Sequence, residues 1–458
     1  MEQPIKISIY TSVYNTKPYV AQCVESVLNQ TYTNFEYIIL DNGCTDGSSE
    51  ILEEYARRDE RIKLIRRDVN QFGIITHIIL TCGDGDYMTI LDSDDWLEPR
   101  FLERLAALAV ANDLDMVCAK NYIYTEGSDA ERLSQKTPPH PIIIRSKEFQ
   151  SAFLQYRFYL SALWGKLVRT DVVRQAYAEP HIYATWAMDT VFCFRMLRRS
   201  NGIGIDSSGL YHYRVRANSA TTAVTYQPTR FAGIVYLYED LMAFLNGFAP
   251  ALPENVASVG ESYIVDSMET LEIAHNSNLS LPEKLAEYQR ILGHPISQEI
   301  FQQPVRRDLD YPISRMIAGL LDIFLFPGLS EEEARQIYPQ VRELLQAMLP
   351  RTHAAVTIEN MPLLLEARPY IRAKLGDQKL HQLYMEHHRT FLLLFGTHSP
   401  LRFFPGNSVP LLQALAEDKP DVVLRRLKKL ARKRGYAERY ALPEAIRMLE
   451  QSLKETER

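Results

Sequence analysis

Strand-like and helix-like segments alternate along the first part of the chain, and this alternation limits the fold more than any other feature of the sequence. Five short apolar segments have the length and the β-branched content of buried strands. They are Ile5–Val13, Phe35–Leu40, Ile62–Ile65, Tyr87–Leu91 and Met116–Cys118. The segments between them place apolar residues at helical spacing. Such alternation predicts an α/β fold with a mostly parallel, Rossmann-like sheet and helices on both of its faces.

Acidic residues follow two of the predicted strands. Asp41 comes after the second strand, and Asp92 and Asp94 come after the fourth. Ligands of open parallel sheets bind beyond the carboxyl ends of the strands, so these acids are candidates for a binding site. Alternate residues of an extended chain point to the same side, which would let Asp92 and Asp94 approach one divalent cation. A Mg²⁺ or Mn²⁺ ion that is shared with a diphosphate needs only one or two protein carboxylates.

Each acidic motif also has a purely structural interpretation. The aspartates before Pro99 could do no more than cap the helix that is expected to begin there. Asp41 and Asp46 could likewise do no more than accept hydrogen bonds from amides of their glycine-bearing turn. Taken singly, neither motif decides between binding a ligand and stabilising its own turn.

The order and spacing of four segments carry more information than any one motif. The segments are Ser12-Val13-Tyr14-Asn15, Glu25–Tyr32, the turn that begins at Asp41, and Asp92-Ser93-Asp94-Asp95-Trp96. Together they resemble glycosyltransferase family 2, which has the GT-A nucleotide-sugar fold. The resemblance implies that Thr11 and Asp41 contact the nucleobase, that Asp92 faces the ribose and that Asp94 binds the metal. The donor-binding residues that it implies in this part of the chain are Thr11, Val13, Asn15, Asp41, Asp92 and Ser93.

Two later segments resemble the same family more loosely. Met188-Asp189-Thr190-Val191-Phe192 is similar to the segment that supplies the catalytic base. An inverting transfer needs one carboxylate to take the proton of the acceptor hydroxyl, and Asp189 is the predicted base. The alternative is that Asp189 is the N-cap of the following helix. Leu163-Trp164-Gly165-Lys166-Leu167 is similar to the family's Trp-x-Lys-Leu segment, although Trp164 could simply pack while Lys166 is exposed.

The segment Tyr211–Ser219 resembles an aromatic and basic segment of the family. The resemblance implies that Arg214, Arg216 and Ser219 bind the donor. Arginines can clamp a diphosphate through forked, charge-assisted hydrogen bonds. His212 is a candidate second metal ligand, and the alternative is a strand histidine that is satisfied by a neighbouring residue.

The chain departs from the family pattern at two places. Met188 stands where the family usually has an acid, and the segment Gly73–Leu80 lacks the Arg-Asn pair of many members. These departures keep open the alternative of a degenerate transferase that acts as a binding or scaffold module. A sugar nucleotidyltransferase is disfavoured, because the segment Thr11–Asn15 is not the glycine-rich, arginine-bearing loop of those enzymes.

The second half of the chain has a helical pattern and no family motif. The sequence predicts a GT-A catalytic domain over 1–226 and a helical C-terminal domain over 227–458 that could bind the acceptor, a membrane surface or a second copy of the chain. An amphipathic basic segment at 422–434 could lie on an anionic membrane or hold an anionic acceptor. The alternative is an ordinary surface helix with a solvated basic face.

Composition and charge narrow the class of protein. The net charge of -6 disfavours a general nucleic-acid binder. Five scattered cysteines fit reduced thiols in the cytoplasm, and neither a signal peptide nor a membrane-spanning segment is recognised. We therefore expect a cytoplasmic, Mn²⁺- or Mg²⁺-dependent inverting glycosyltransferase, which could work at the inner face of the membrane. The donor would be a nucleotide sugar, with UDP as the carrier by resemblance, and the acceptor a glycan, a lipid-linked sugar or a protein.

Overall fold

The structure is a computed structural model that describes most of the first two thirds of the chain. The described residues are 4–302 apart from 72, 128–130, 134–139, 181–183, 185, 217–224 and 248–249, together with 316, 320, 331–348, 425, 428 and 432. Ser219 and most of the segment 422–434 lie outside them, so the predictions for these residues stay predictions. By compactness the chain divides into two units, residues 1–259 and 260–458.

The first unit is built on one sheet of 10 strands. The strands are β1 Ile7–Val13, β2 Phe35–Asn42, β3 Ile62–Arg67, β4 Tyr87–Ile90, β5 Trp96–Leu97, β6 Met116–Thr125, β7 Glu131–Leu133, β8 Ile142–Arg145, β9 Lys166–Arg169 and β10 Gly202–Val215. Their order is β3-β2-β1-β4-β9-β6-β10-β5, with β7 on β6 and β8 on β10. The predicted α/β class is therefore confirmed.

The sheet is parallel where the sequence pattern is clearest and mixed elsewhere. Strands β1 to β4 pair in parallel with one another, as do β6 and β10. The short strand β9 enters between β4 and β6 and pairs antiparallel with both. Because β9 returns the chain in the opposite direction, it joins two parallel halves that would otherwise be separate.

Eight α-helices lie within the described residues of the first unit. They are α1 Lys17–Leu28, α2 Ser48–Arg58, α3 Ile74–Thr81, α4 Phe101–Ala111, α5 Phe153–Tyr156, α6 Thr170–Ala178, α7 Met188–Arg199 and α8 Arg230–Asn246. Alternate residues of β1 face opposite sides of the sheet. Ile7 and Ile9 join the core that α1 and α4 cover, whereas the hydroxyl of Tyr10 donates to the carbonyl of Cys82, just after α3. Helices therefore cover both faces, which places the carboxyl ends of β1, β2 and β4 at one edge.

Within its described residues the second unit consists of helices and the turns between them. Helix α9, Pro253–Asn276, crosses the division between the units, and α10 Leu281–Leu292, α11 Pro295–Gln302 and α12 Glu331–Met348 follow. Helices α10, α11 and α12 contact one another. Helix α8 belongs to the first unit, whereas the sequence analysis placed it in the C-terminal domain. No helix in the described part of the chain is long and apolar enough to cross a membrane.

Candidate active site

The aspartate motif occupies the turn between β4 and β5. The Asp95 amide donates to the carbonyl of Asp92 over 3.1 Å, which closes the turn. The N-cap of the next helix, α4, is Arg100, and no side chain caps it. The interpretation of this motif as a cap for that helix is therefore wrong, and its carboxylates have other partners.

Asp95 is the structural member of the motif. It is buried, and its carboxylate accepts hydrogen bonds from the hydroxyl of Tyr211 at 2.6 Å and from the amide of Arg214 at 2.7 Å. Burial, followed by repulsion from Asp92, raises the pKa of Asp95. These bonds hold the aspartate motif against β10, the strand that carries Arg214 and His212.

Both predicted donor-binding arginines lie against Asp94. The Nε of Arg216 is 2.7 Å from the Asp94 carboxylate, and the Nε of Arg214 donates to the Asp94 carbonyl over 2.7 Å. The Arg214 guanidinium is also stacked on the rings of Trp96 and Tyr19, at 4.6 and 4.9 Å from the ring centroids. The structure thus brings two positive side chains to the predicted metal ligand, although their sequence separation from it is large.

Asp92 belongs to an acidic group with Asp94 and Asp189. Asp92 is exposed as a residue, but the surrounding protein partly desolvates its carboxylate. This desolvation is the largest cause of its raised pKa. Repulsion from Asp94 and then from Asp189 raises it further. Asp92 of the β4–β5 turn therefore interacts with Asp94 of the same turn and with Asp189 of α7, and a cation or a proton at Asp92 would relieve this repulsion.

Asp189 lies in the first turn of α7 without capping that helix. The N-cap is Ala187, in the left-handed region at φ 71, and it makes no side-chain cap. A non-glycine residue in that region costs about 1–3 kcal/mol, and such strain is often found at functional sites. The Asp189 carboxylate accepts a hydrogen bond from the Leu163 amide instead. The interpretation of Asp189 as an N-cap is therefore wrong, and the acid remains available for chemistry.

His212 is engaged away from Asp94. Its Nε2 is 2.7 Å from the Glu98 carboxylate. Its ring is stacked on Trp96 at 4.6 Å and on Tyr122 at 5.0 Å between centroids. This arrangement matches a strand histidine that neighbouring residues satisfy. A role as metal ligand through Nε2 requires the pair with Glu98 to open, and the role of His212 as a ligand stays a prediction.

The predicted base-binding acid Asp41 is held by its own turn. Its carboxylate accepts a hydrogen bond from the Cys44 amide at 3.2 Å and one from the Ser49 hydroxyl at 2.6 Å. Asp46 likewise accepts from the Ser48 amide at 3.0 Å. Asp41 and Asp46 thus make the turn hydrogen bonds that the structural interpretation expects, and base binding by Asp41 stays a prediction. A nucleobase could reach Asp41 only through lone pairs that these bonds leave.

The other predicted donor-binding residues lie at the same edge of the sheet. Thr11 is fully buried and its hydroxyl accepts from Tyr37, so the predicted contact with a base does not follow from this structure. Val13 and Ser93 are buried too. Asn15 is exposed at φ 52, and its side-chain oxygen accepts from the Thr45 amide. Asn15 thus stabilises the neighbouring turn through its side-chain oxygen.

The donor set at Asp94 fits a hard divalent cation that is shared with a ligand. No group of three or more His, Cys, Asp and Glu side chains in the described residues is arranged to hold a metal ion by itself. A cation that also binds a diphosphate needs only one or two carboxylates, and the Asp94 side chain retains 19% exposure. Asp92 and Asp94 are therefore the residues that would hold it.

Comparison with known proteins identifies the domain that carries this turn. Residues 8–174 match the model of the family described as glycosyl transferase family 2. The chain contains a family 2 glycosyltransferase domain. The matched range includes Asp41, Asp92 and Asp94 of this glycosyltransferase domain and ends before Asp189 and Arg214. The roles of the last two residues rest on their geometry.

Bacterial proteins are among the relatives. The putative glycosyltransferase EpsH of Bacillus subtilis (strain 168) is 28% identical over 335 residues, which cover 70% of this chain and 91% of that protein. Chondroitin synthase of Escherichia coli is 33% identical over 164 residues, covering 35% of this chain and 23% of that protein. The crystal structure of S. aureus TarS 1-349 in complex with UDP-GlcNAc aligns with a TM-score of 0.42 and 18% identity, over 83% of this chain and 92% of that one. A TM-score this low adds nothing to the assignment.

Sequence reasoning missed two parts of the site. Tyr211 and Asp95 belong to two of the family-like segments, but the sequence does not show the hydrogen bond between them, which forms because β10 pairs with β5. Lys166 was expected to be exposed in the alternative interpretation, and this is wrong because it is 4% exposed. It is the first residue of the short strand β9, which no alternating pattern marks in the sequence.

Proposed function

We propose that the first unit is a metal-dependent, inverting glycosyltransferase that moves a sugar from a UDP-sugar to an acceptor hydroxyl. The observation that carries this proposal is the interaction of Asp92 with both Asp94 and Asp189. A transferase needs acids for two tasks, to hold the cation of the donor and to accept the acceptor proton. The β4–β5 turn and the start of α7 supply one for each.

Each residue has a defined task in this reaction. A Mn²⁺ or Mg²⁺ ion held by Asp92 and Asp94 would neutralise charge on the departing nucleoside diphosphate. Arg214 and Arg216 add positive charge at the same place, which offsets the absence of the family's usual Arg-Asn pair. Asp189 takes the proton of the acceptor hydroxyl as that oxygen attacks the sugar carbon opposite the leaving group, which inverts the configuration. Asp189 is exposed as a residue, but the protein around its carboxylate partly desolvates it and raises its pKa, and a carboxylate with a raised pKa is a stronger base.

The substrates follow from the family and its relatives. UDP is the carrier that the resemblance to family 2 implies, and the acceptor is a hydroxyl of a glycan, a lipid-linked sugar or a protein. Relatives in bacteria, one of them named a chondroitin synthase, support a role in the synthesis of a bacterial surface glycan. We place the enzyme in the cytoplasm. Contact of residues 422–434 with the membrane surface and homo-oligomerisation through the helical half are part of the same proposal.

One observation favours a second candidate, a catalytically inactive relative that acts as a binding module. The Asp94 carboxylate is paired with Arg216, and His212 is paired with Glu98, so both predicted metal ligands have protein partners. If these pairs never open, the cleft would not take a cation. Calorimetry with UDP and Mn²⁺ separates the candidates, because the binding module would show no metal-dependent heat.

A panel of nucleotide sugars tests the proposed activity. The wild-type protein should hydrolyse or transfer from at least one of them in the presence of Mn²⁺, and EDTA should stop the reaction. Asp94→Ala should abolish turnover. Asp84→Ala is the matched control, because Asp84 is exposed and pairs with Lys6 near the start of β1. No turnover of any donor by the wild type, or equal turnover by Asp94→Ala, contradicts the proposal.

A further inference from the structure

A buried lysine organises the loop that holds the proposed base. Lys166 is the first residue of β9 and is 4% exposed. Its ammonium donates to the carbonyl of Ala162 and, over 3.2 Å, to the carbonyl of Trp164. A buried ammonium is costly unless its donors are satisfied, so this loop is shaped around the lysine.

The loop joins β9 to α7 at the position of the base. The Cys193 thiol of α7 donates to the same Ala162 carbonyl over 3.2 Å. The intervening amide, that of Leu163, donates to the Asp189 carboxylate. Lys166 therefore binds the carbonyls of the two residues that flank Leu163, whose amide lowers the pKa of Asp189.

The same loop connects the base to the metal-binding turn. Trp164 is stacked on Tyr211 with ring centroids 4.5 Å apart. The hydroxyl of Tyr211 donates to Asp95, and the Asp92 amide lies 3.3 Å from that hydroxyl. A displacement of the loop would change the position of Asp189 relative to the donor site, which an in-line attack does not tolerate.

Lys166 also acts on Asp189 through its charge. Partial desolvation of its carboxylate raises the pKa of Asp189, and the positive charge of Lys166, followed by the Leu163 amide, lowers it. Lys166 likewise opposes the effect of burial on the pKa of the Cys193 thiol. The charge of Lys166 therefore acts on two residues of α7, Asp189 in its first turn and Cys193.

We propose that Lys166 is a positioning residue for the catalytic base, which orients Asp189 through the loop and stabilises its carboxylate. This inference rests on the proposed function, because it requires Asp189 to take the proton. In the reaction the acceptor O–H bond breaks, its oxygen bonds to the sugar carbon, and the sugar–phosphate bond breaks with its electrons leaving on the diphosphate. The proton moves to Asp189, and Lys166 touches none of the reacting atoms.

Kinetics as a function of pH test the inference. Lys166→Met keeps the apolar stem and removes the charge. We expect kcat for transfer to fall about 100-fold, with the KM for the donor nearly unchanged, because the base is displaced by a fraction of its working distance. The acid limb of the kcat/KM profile should move to higher pH, since Asp189 loses the charge that opposes burial. Cys193→Ala removes a contact to the same carbonyl without a charge, so its acid limb should stay in place.

Hydrogen exchange of the full-length protein gives a readout that needs no activity. The Leu163 amide should be protected in the wild type and should exchange faster in Lys166→Met. Lys166→Arg keeps the charge but cannot place one compact ammonium between two carbonyls. In this variant the Leu163 amide should exchange faster, while the acid limb of the kcat/KM profile should stay in place. It carries the test if Lys166→Met does not fold. An active wild type whose variants keep its acid limb and its exchange rate overturns the inference alone. A wild type that turns over no donor overturns the proposed function and the catalytic part of the inference with it.

Discussion

Asp189 has no structural role in its own helix, α7, as an N-cap. It neither caps α7 nor pairs with a basic side chain of that helix's last turn, and its carboxylate is bound by an amide of another element. Asp41 and Asp46 show the opposite case, because amides and hydroxyls of their own turn occupy them. At the residue scale, the choice of partners thus separates acids available for chemistry from acids that stabilise a turn.

Replacement of Asp189 by asparagine tests its assignment as the base. We expect Asp189→Asn to lower kcat about 10²–10⁴-fold, the usual contribution of a general base, while donor binding is retained. Asp171→Asn is the matched control, because Asp171 is also an exposed aspartate in the first turn of a helix, α6. Steady-state transfer rates and calorimetry with the donor nucleotide provide the measurement. A full rate for Asp189→Asn would show that the base lies elsewhere.

The buried Asp95 makes the stability of the protein depend on pH. Burial and repulsion from Asp92 raise the pKa of Asp95 from 3.8 to about 8. The folded state therefore retains a proton that the unfolded chain releases, and its stabilising effect is present below 3.8 and is lost as pH rises toward 8. Asp95→Asn removes this titration and preserves the shape of the side chain.

The wild type should accordingly lose thermal stability relative to Asp95→Asn as the pH is raised from 5 to 8. Melting temperatures of both proteins, measured without divalent ions, give the comparison. Asp68→Asn, at an exposed position after β3, should track the wild type across the range. A difference between wild type and Asp95→Asn that does not change with pH would contradict the account of the acidic group.

Among elements, α8 supports the start of α7. A Cβ added to Gly233 of α8 would lie 2.5 Å from the carbonyl oxygen of Trp186, directly before the strained Ala187. Gly260 of α9 offers the opposite case, since an added Cβ would meet only Ile300 atoms at 3.9 Å. Close approach therefore requires glycine at the first position and not at the second.

Alanine substitution at the two glycines should change stability in opposite directions. Gly233→Ala should destabilise the protein by about 1–3 kcal/mol, the usual effect of overpacking, and should lower kcat by displacing α7. Gly260→Ala should stabilise its helix by about 0.5–1 kcal/mol, because alanine loses less backbone entropy. Thermal unfolding and transfer rates check both changes. Equal stability of the two variants would contradict this description of the α7–α8 contact.

The sequence predicts the elements with strong periodicity and misses those defined by tertiary pairing. The predicted strands Ile5–Val13 and Tyr87–Leu91 correspond to β1 and β4 within two residues. Met116–Cys118 was predicted as a short strand, yet β6 continues to Thr125 because β10 pairs along it. The strand β9 carries no alternating pattern, since it is short and buried between β4 and β6. The acids were predictable because they follow strong strands, whereas the hydrogen bonds of Tyr211 and Lys166 depend on that pairing.

At the scale of the whole molecule, the residues proposed for catalysis extend beyond the range that the family model matches. The match ends at residue 174, while Asp189, Arg214 and Arg216 come later and the first compact unit runs to residue 259. Helices α7 and α8 pack together within this unit. We therefore expect the donor site to be complete within residues 1–259, and the helical second unit to act on the acceptor or on assembly.

Calorimetric titration of the full-length protein with UDP, with Mn²⁺ and then with EDTA, tests the metal-dependent donor site most directly. The account predicts that Mn²⁺ tightens UDP binding at least about tenfold, which corresponds to about 1.4 kcal/mol. It also predicts that Asp94→Ala removes this difference while Asp84→Ala retains it. Equal UDP affinity of the wild type with Mn²⁺ and with EDTA would contradict the assignment of Asp92 and Asp94 to a cation that carries the diphosphate.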